Sequence, residues 1–232
     1  MSEKHHVAVV GAGLVGAATT WELLRVGHRV TLVEPGEPGG EQAASYGNAG
    51  WISSHSIIPS SSPDIWRQIP RYLLNPLGPL AIRWMYLPQA APWLLRYVVA
   101  GNSVAKLERS ATALRTLLRD ASLLHEQLAR ETGVPELIER SGVLHVYPTR
   151  QDYQRDATAW RIRQEQGVVI DEIDTDELRG REPDLHARYG FGVFVREAAR
   201  CRDPGAYVAA LVANIRTRGG ELLRANATLS TA

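Results

Sequence analysis

A short run of apolar residues and glycines, VAVVGAGLVG at positions 7–16, limits the possible folds of this chain more than any other feature. Residues 7–10 are continuously apolar, which is typical of a buried parallel strand. Three glycines follow in GxGxxG spacing, and residues 17–26 then have the apolar periodicity of a helix that Gly27 ends. A second apolar run at 30–33 leads into Glu34. The pattern predicts a strand–turn–helix–strand unit that binds a dinucleotide.

Each position in this unit has a physical reason. Gly11 lets the chain turn sharply out of the strand, Gly13 leaves room for a pyrophosphate, and Gly16 lets the helix pack closely. The amides at the start of the helix attract phosphate oxygens. Glu34 is placed to accept hydrogen bonds from ribose hydroxyls, and its charge disfavours the 2′-phosphate of NADP. The predicted dinucleotide contacts in this stretch are Val10, Gly11, Gly13, Leu14, Val15, Gly16 and Glu34.

The residues after Glu34 favour FAD over NAD. Both dinucleotides contain adenosine diphosphate, so the glycine pattern alone does not separate them. An NAD-binding domain usually continues with another helix and strand, whereas positions 35–54 read PGEPGGEQAASYGNAGWISS, a loop of small residues that can lie against a planar ring. An NAD-binding dehydrogenase stays open as the alternative.

Charge and cysteine content exclude several other classes. The net charge is +1, which argues against a nucleic-acid partner bound by counterion release. Cys201 is the sole cysteine, so neither an intrachain disulfide nor a cysteine metal cluster is possible, and no metal site is predicted. No uninterrupted apolar run is long enough to cross a bilayer. A cytoplasmic location is expected.

The region 53–101 is rich in proline and aromatic residues, and two interpretations compete. Short helices joined at prolines could form a cap over a substrate cavity. The same residues could instead contact a membrane surface. The residues that suit an interface are Trp66, Tyr72, Trp84, Tyr86, Trp93 and Tyr97, with Arg71, Arg83 and Arg96 nearby.

Periodicity predicts the remaining elements. One long amphipathic helix is expected over 103–132, and a shorter one over 153–166. Strands are expected at 142–147, 168–170 and 191–195. His145 and Tyr147 would lie on one face of the first strand, either as a packed or solvent-facing pair or facing the substrate cavity. Asp203 and Pro204 begin a helix that runs to about residue 218, and 221–225 returns as a strand beside the one that ends at Glu34.

The GxGxxG pattern at 11–16, followed by the segment AASYGNAGWIS, resembles the sequence of the FAD-dependent amine oxidoreductases of the D-amino acid oxidase type. Within that family the chain is most similar to the small subunit of bacterial D-amino acid dehydrogenase and to D-hydroxyproline dehydrogenases. The later segments SGVLHVYPT and DELRGREPDL, and the whole of 199–229, fit the family in the same order.

The resemblance implies an α/β fold with two parts. A Rossmann-like FAD-binding domain would comprise residues 1–60 and 200–232, and an α+β substrate or cap domain would comprise 61–199. Family members continue far beyond the length of this chain. The chain is therefore expected to be an N-terminal fragment whose fold is incomplete at its C-terminus, with one open edge on its first strand.

The resemblance also implies further cofactor contacts. The loop from Ser45 to Gly50 would run beside the flavin, with contacts from Ser45, Asn48, Ala49 and Gly50, unless Asn48 and Gly50 only form a turn. The backbone of Leu229 would meet the adenine.

In the family, the C–N bond of a D-amino acid, or of D-hydroxyproline, is oxidised to an imine by hydride transfer to flavin N5. The electron acceptor would be oxygen or a quinone, and peripheral contact with the inner membrane is one expectation. Catalytic residues cannot be assigned from these positions. A truncated, non-catalytic product is the second alternative function.

Overall fold

The computed structural model describes residues 3–59 and 84–228. Its helices are α1 (Leu14–Arg25), α2 (Leu87–Ala100), α3 (Val104–Leu118), α4 (Ala121–Glu131), α5 (Arg150–Arg155), α6 (Ala157–Glu165), α7 (Thr175–Arg181) and α8 (Pro204–Thr217). Its strands are β1 (His6–Val10), β2 (Arg29–Val33), β3 (Trp51–Ile52), β4 (Ile138–Glu139), β5 (Val143–Tyr147), β6 (Ile170–Ile173), β7 (Phe191–Val195), β8 (Ala199–Cys201) and β9 (Glu221–Leu223). Short 3-10 turns occur at Trp84–Tyr86 and Pro135–Leu137.

A parallel sheet of order β1-β2-β9 carries the glycine turn. Both pairings are parallel, with Val10 opposite Val33 and Val33 opposite Leu223, so the three strands end at one edge. Because β9 returns beside β2, the expectation from the sequence is confirmed.

Helices α1 and α8 cover the apolar face of this sheet. Trp21 of α1 and Leu32 of β2 belong to one buried cluster with Leu211 and Ile215 of α8. The start of α8 agrees with the prediction, since Asp203 accepts a hydrogen bond from the Ala206 amide and Pro204 takes the first helical position.

Two further sheets follow from the short strands. One has the order β3-β8-β4 with antiparallel pairs, and the other has the order β5-β7-β6. Strands β6 and β7 are antiparallel, with Ile170 opposite Val195. The predicted strand at 191–195 is therefore confirmed, whereas the one at 168–170 begins at Ile170 and runs to Ile173.

The single helix expected over 103–132 is wrong. The chain forms α3 and α4, interrupted at Arg119 and Asp120. Apolar periodicity continues across the break, but the two halves pack in different cores. Leu107 and Ala111 of α3 pack with Ile57 and Ile162, whereas Ala129 of α4 packs with Ile138, Cys201 and Tyr207.

The helix expected over 153–166 is also divided. It forms α5 and α6, which meet at Asp156. Thr149 and Asp152 form a reciprocal capping box that starts α5 three residues before the predicted start. The Asp156 carboxylate accepts a hydrogen bond from the Tyr147 hydroxyl at 3.1 Å, so tertiary contacts hold the junction.

The chain divides into two compact units. The first comprises the described parts of Met1–Ser53, Ala121–Val143 and Ala198–Ala232, and the second those of Ser54–Asp120 and Leu144–Glu197. This grouping differs from the sequence-based limits mainly at 121–143. Those residues join the first unit because α4 and β4 pack against β8 and α8.

The aromatic region is described only in part. Trp66, Arg71, Tyr72 and Arg83 lie outside the described residues, while α2 carries Trp93, Arg96 and Tyr97. Within the described ranges, no helix has both the length and the apolarity that a membrane span requires.

Candidate dinucleotide-binding site

The turn between β1 and α1 depends on glycine at two positions. Gly11 has φ of +96°, a left-handed conformation that favours glycine, and its amide donates to the Val33 carbonyl at 2.8 Å. At Gly16, an added Cβ would lie 1.8 Å from the Gly11 carbonyl oxygen. Helix α1 therefore begins in direct contact with the turn because residue 16 has no side chain.

Gly13 leaves the mouth of this turn open. An added Cβ at Gly13 would have no described atom within 4 Å. Gly13 is the N-cap of α1 and has no side chain to accept from the first-turn amides, so these amides are available to an anion. The neighbouring Val10 and Val15 are 64% and 80% exposed. An open, positively polarised helix start of this kind fits a diphosphate.

Glu34 points back to the same turn. One carboxylate oxygen, Oε2, accepts from the Ala12 amide at 2.8 Å, and the other, Oε1, accepts from the Gly36 amide at 3.0 Å. The side chain is buried at the end of β2. Its negative charge thus lies beside the glycine turn, where it disfavours a second anion such as a 2′-phosphate.

Two opposing effects set the ionisation of Glu34. Burial raises the pKa of its carboxyl, whereas hydrogen bonds from the Ala12 and Gly36 amides lower it. Gln42 and the charge of Arg224 add to the lowering, and the net result is a pKa below the usual value for glutamate. Glu34 is therefore ionised at neutral pH.

The small-residue loop after Glu34 is held against α8 and β8. At Gly39, with φ of +76°, an added Cβ would lie 2.1 Å from the Gly205 carbonyl oxygen at the start of α8. At Gly50, with φ of +72°, an added Cβ would lie 2.0 Å from the Cys201 carbonyl oxygen. The Cys201 amide donates to the Gly50 carbonyl at 2.6 Å. The glycines at these two positions thus permit close backbone packing.

The candidate flavin-side residues lie together in this loop. The Asn48 side chain accepts from the Gly50 amide at 2.9 Å, and the Asn48 amide donates to the Ser45 carbonyl at 3.2 Å. Asn48 and Ala49 are exposed, Ser45 is half-buried and Gly50 is buried. Asn48 and Gly50 therefore form a local turn, which is compatible with both interpretations of this loop. Leu229 lies outside the described residues.

Sequence reasoning missed three participants. The Ala12 and Gly36 amides bind the Glu34 carboxylate, and Arg224 contacts both the Gly36 carbonyl and Glu37. A possible signal for Arg224 was its position directly after β9, because parallel strands β2 and β9 end at the same edge.

In the described parts of the chain, no group of three or more His, Cys, Asp or Glu side chains is arranged to bind a metal. The pair His145 and Tyr147 on β5 packs internally. Trp160 Nε1 donates to the Tyr147 hydroxyl at 2.8 Å.

Comparison with known proteins agrees with the glycine turn. The profile of the FAD-dependent oxidoreductase family matches residues 6–230. The D-amino-acid oxidase of Bradyrhizobium diazoefficiens is 60% identical over 228 residues, which is 98% of this chain and 54% of that protein. D-amino acid dehydrogenase 2 of Ralstonia nicotianae is 32% identical over 195 residues, which is 79% of this chain and 43% of that protein. The chain thus spans about half the length of the curated relatives it matches.

Solved structures share the fold at low sequence identity. L-amino acid deaminase from Proteus vulgaris aligns with a TM-score of 0.59 and 15% identity, over 96% of this chain and 40% of that one. Glycine oxidase from Geobacillus kaustophilus aligns with a TM-score of 0.57 and 19% identity, over 94% of this chain and 46% of that one. At these identities the likeness concerns the fold alone.

Proposed function

Because this chain belongs to the family of FAD-dependent oxidoreductases, we propose that the turn between β1 and α1 binds the diphosphate of FAD. The observation that carries the proposal is the open space at Gly13, at a helix start whose amides face no cap side chain. The ionised Glu34 would accept from the adenosine ribose hydroxyls in exchange for one of its present amide contacts. The contacts proposed in this part are Val10, Gly11, Gly13, Leu14, Val15, Gly16 and Glu34.

A second set of contacts is proposed beside the flavin ring. Ser45, Asn48, Ala49 and Gly50 would provide them from a loop that close glycine packing holds in place. The exposed Asn48 and Ala49 are available to a ligand, whereas Gly50 sets the path of the chain. Leu229 is proposed to meet the adenine through its backbone, on family resemblance alone.

The proposed reaction is oxidation of the C–N bond of a D-amino acid. When bound, FAD would supply a hydride acceptor at flavin N5, and the imine formed from the amino acid would hydrolyse in water to a keto acid and ammonia. Two relatives named as D-amino-acid oxidase and D-amino acid dehydrogenase support the substrate class. D-hydroxyproline is proposed as a second substrate, and oxygen or a quinone as the electron acceptor. This chain's own residues would hold and orient the cofactor.

Direct binding measurements test the cofactor. Calorimetric titration of the purified chain with FAD, NAD and NADP should give the tightest binding for FAD, by at least about tenfold. Preferential binding of NAD would support an NAD-binding dehydrogenase instead. Binding of none of the three would support a non-catalytic product. A panel of D-amino acids and D-hydroxyproline, assayed with a dye acceptor and with oxygen, then tests substrate and acceptor.

We further propose that α2 contacts an anionic membrane surface. Among the described side chains of α2 none is buried, and Trp93 stacks on Tyr97 with ring centroids 5.3 Å apart. The sequence from 65 to 107 contains no Asp or Glu, and its basic residues are Arg67, Arg71, Arg83, Arg96 and Lys106. The exposed Trp93 ring, together with a purely basic charge pattern, fits anionic lipid.

Vesicle sedimentation tests the membrane proposal. The chain should bind vesicles that contain phosphatidylglycerol more strongly than vesicles of phosphatidylcholine, and Trp93→Ser should weaken that binding. Leu117→Ser on α3, at a comparably exposed apolar position, is the matched control. Equal binding to both vesicle types, or none, would contradict the proposal.

A further inference from the structure

Two histidines from distant parts of the sequence meet inside the second unit. His55 is 2% exposed, and its Nε2 lies 3.0 Å from Nε2 of His145 on β5. The rings are nearly perpendicular, with an interplanar angle of 88° and centroids 5.2 Å apart. A hydrogen bond between two Nε2 atoms needs exactly one proton between them. The neutral pair and the singly protonated pair both satisfy this requirement, whereas two imidazolium rings would turn two N–H groups toward each other.

The second ring nitrogen of His55 determines which histidine donates. Nδ1 of His55 is buried and has no hydrogen-bond partner among the described residues. A buried N–H without an acceptor is rarer in proteins than an acceptor with a spare lone pair. The favoured arrangement therefore leaves Nδ1 of His55 unprotonated. His55 then donates from Nε2 to His145, which carries its own proton on Nδ1.

The charges around the pair oppose a further proton. Burial is the largest effect and lowers the pKa of His55 to about 4, with His145, Arg163 and Arg115 acting in the same direction and Glu197 against them. Burial also lowers the pKa of His145, assisted by Arg163 and opposed by Asp156. Arg115 binds Glu197 through two hydrogen bonds of 2.6 and 2.9 Å, which limits the opposing effect of that carboxylate.

Contacts on either side connect the pair to the core. The His55 carbonyl accepts from Arg163 Nε at 3.2 Å, and Ile57, two residues later, is fully buried against α3 and α6. His145 lies edge-on to Trp160 of α6, with ring centroids 5.2 Å apart. The hydrogen bond between the histidines thus joins the segment that carries Ile57 to β5 and to Trp160.

We infer that the hydrogen bond between His55 and His145 acts as a proton-controlled contact within the second unit. It stays closed while at most one of the two rings is charged, and it opens when both are protonated. Opening turns His55 away from β5 and loosens the segment that carries Ile57. The inference needs neither FAD nor catalysis, so it stands or fails independently of the proposed function.

Nitrogen NMR of the imidazole rings in the full chain tests the closed state. At pH 7.5 we expect His55 protonated on Nε2 and His145 protonated on Nδ1. His5, an exposed histidine of the first unit, provides the reference for an imidazole that exchanges between tautomers. A proton on Nδ1 of His55 would overturn the assignment.

Emission from Trp160 tests the opening. The difference between the native chain and Trp160→Phe isolates this indole from the other tryptophans, and it should change with a midpoint more than about one pH unit below the ordinary histidine value of about 6.5. In His55→Gln the amide still donates to His145, but the like-charged neighbour is gone, so the midpoint should rise by about half a unit or more. The double variant His55→Gln/His145→Gln should lose the transition.

His125→Gln is the matched control. His125 is also a histidine whose pKa burial lowers, but it contacts Tyr207 in the first unit. Its replacement should leave the midpoint unchanged. The inference is overturned if the Trp160 signal does not change between pH 7 and 4, if His55→Gln leaves the midpoint in place, or if the change coincides with loss of far-ultraviolet dichroism in every variant.

Discussion

The glycine turn between β1 and α1 in the first unit and the pair of His55 and His145 in the second unit depend on different interactions. The turn is made from backbone groups and one carboxylate, and the hydrogen-bonded residues Ala12 and Glu34 are 22 residues apart. The histidine pair joins side chains 90 residues apart, and its hydrogen bond depends on which ring nitrogens carry protons. The stability of the turn should therefore be sensitive to an added side chain and little affected by pH. The stability due to the histidine pair should be sensitive to charge and little affected by small changes in side-chain volume.

The strongest way to break the turn is Gly16→Ala. The new Cβ would lie 1.8 Å from the Gly11 carbonyl oxygen, so the start of α1 must move. We expect a loss of more than about 3 kcal/mol in the free energy of unfolding, measured by chemical denaturation. The control Gly180→Ala lies within α7, where no described atom is within 4 Å of an added Cβ, and should stabilise slightly. Equal effects of the two substitutions would contradict the close contact.

Lowering the pH tests the contribution of the histidine pair to stability. The pKa of His55 is lowered to about 4 in the folded chain, so the unfolded chain binds the proton more readily. The stability due to neutral His55 is complete above about pH 6.5 and is lost as the pH falls toward 4. The loss should reach about 3 kcal/mol in denaturation curves recorded across this window. In His55→Gln the free energy of unfolding should depend less on pH in this window. An unchanged dependence would contradict the lowered pKa of His55 as its cause.

Arg115→Met tests the ion pair of Arg115 and Glu197, which lies near the histidine pair. Arg115 is 12% exposed at its side chain and bonds Glu197 as well as the carbonyls of Ser54 and Gln166. Its removal takes two donors from the Glu197 carboxylate, which keeps the Ser54 hydroxyl, and one donor from each of the two carbonyls. We expect a loss of about 2 kcal/mol by denaturation. Arg25→Met, which removes a solvent-exposed pair with Glu22, should change stability by less than about 0.5 kcal/mol. Similar losses for both would show that burial of the Arg115 pair is unimportant.

Gly13→Ala separates cofactor binding from folding. The added methyl group would meet no described atom within 4 Å, so the melting temperature of the cofactor-free chain should stay the same. The methyl group would occupy the space proposed for the diphosphate, so FAD affinity should fall by about tenfold or more in calorimetric titration. Unchanged affinity would place the diphosphate elsewhere.

Much of the first unit was predictable because its information is local. Glycine spacing, a continuous apolar strand and an acid at the end of the next strand are all readable within 34 residues, and the structure brings Glu34 to the turn. The helix that begins at Asp203 and the return of β9 beside β2 were equally readable. The positions of Arg224 and Gly205 were not, because both act across long separations in sequence.

The sequence alone determined the parallel strand–turn–helix unit, its glycine positions and the family, because steric demands on the backbone are encoded where they occur. Only the tertiary structure decided that the periodic stretch 103–132 divides into α3 and α4, since each half buries its apolar face in a different core. The tertiary structure likewise brought His55 to His145. Burial and hydrogen-bond partners depend on which distant segments pack together, and periodicity does not record that choice.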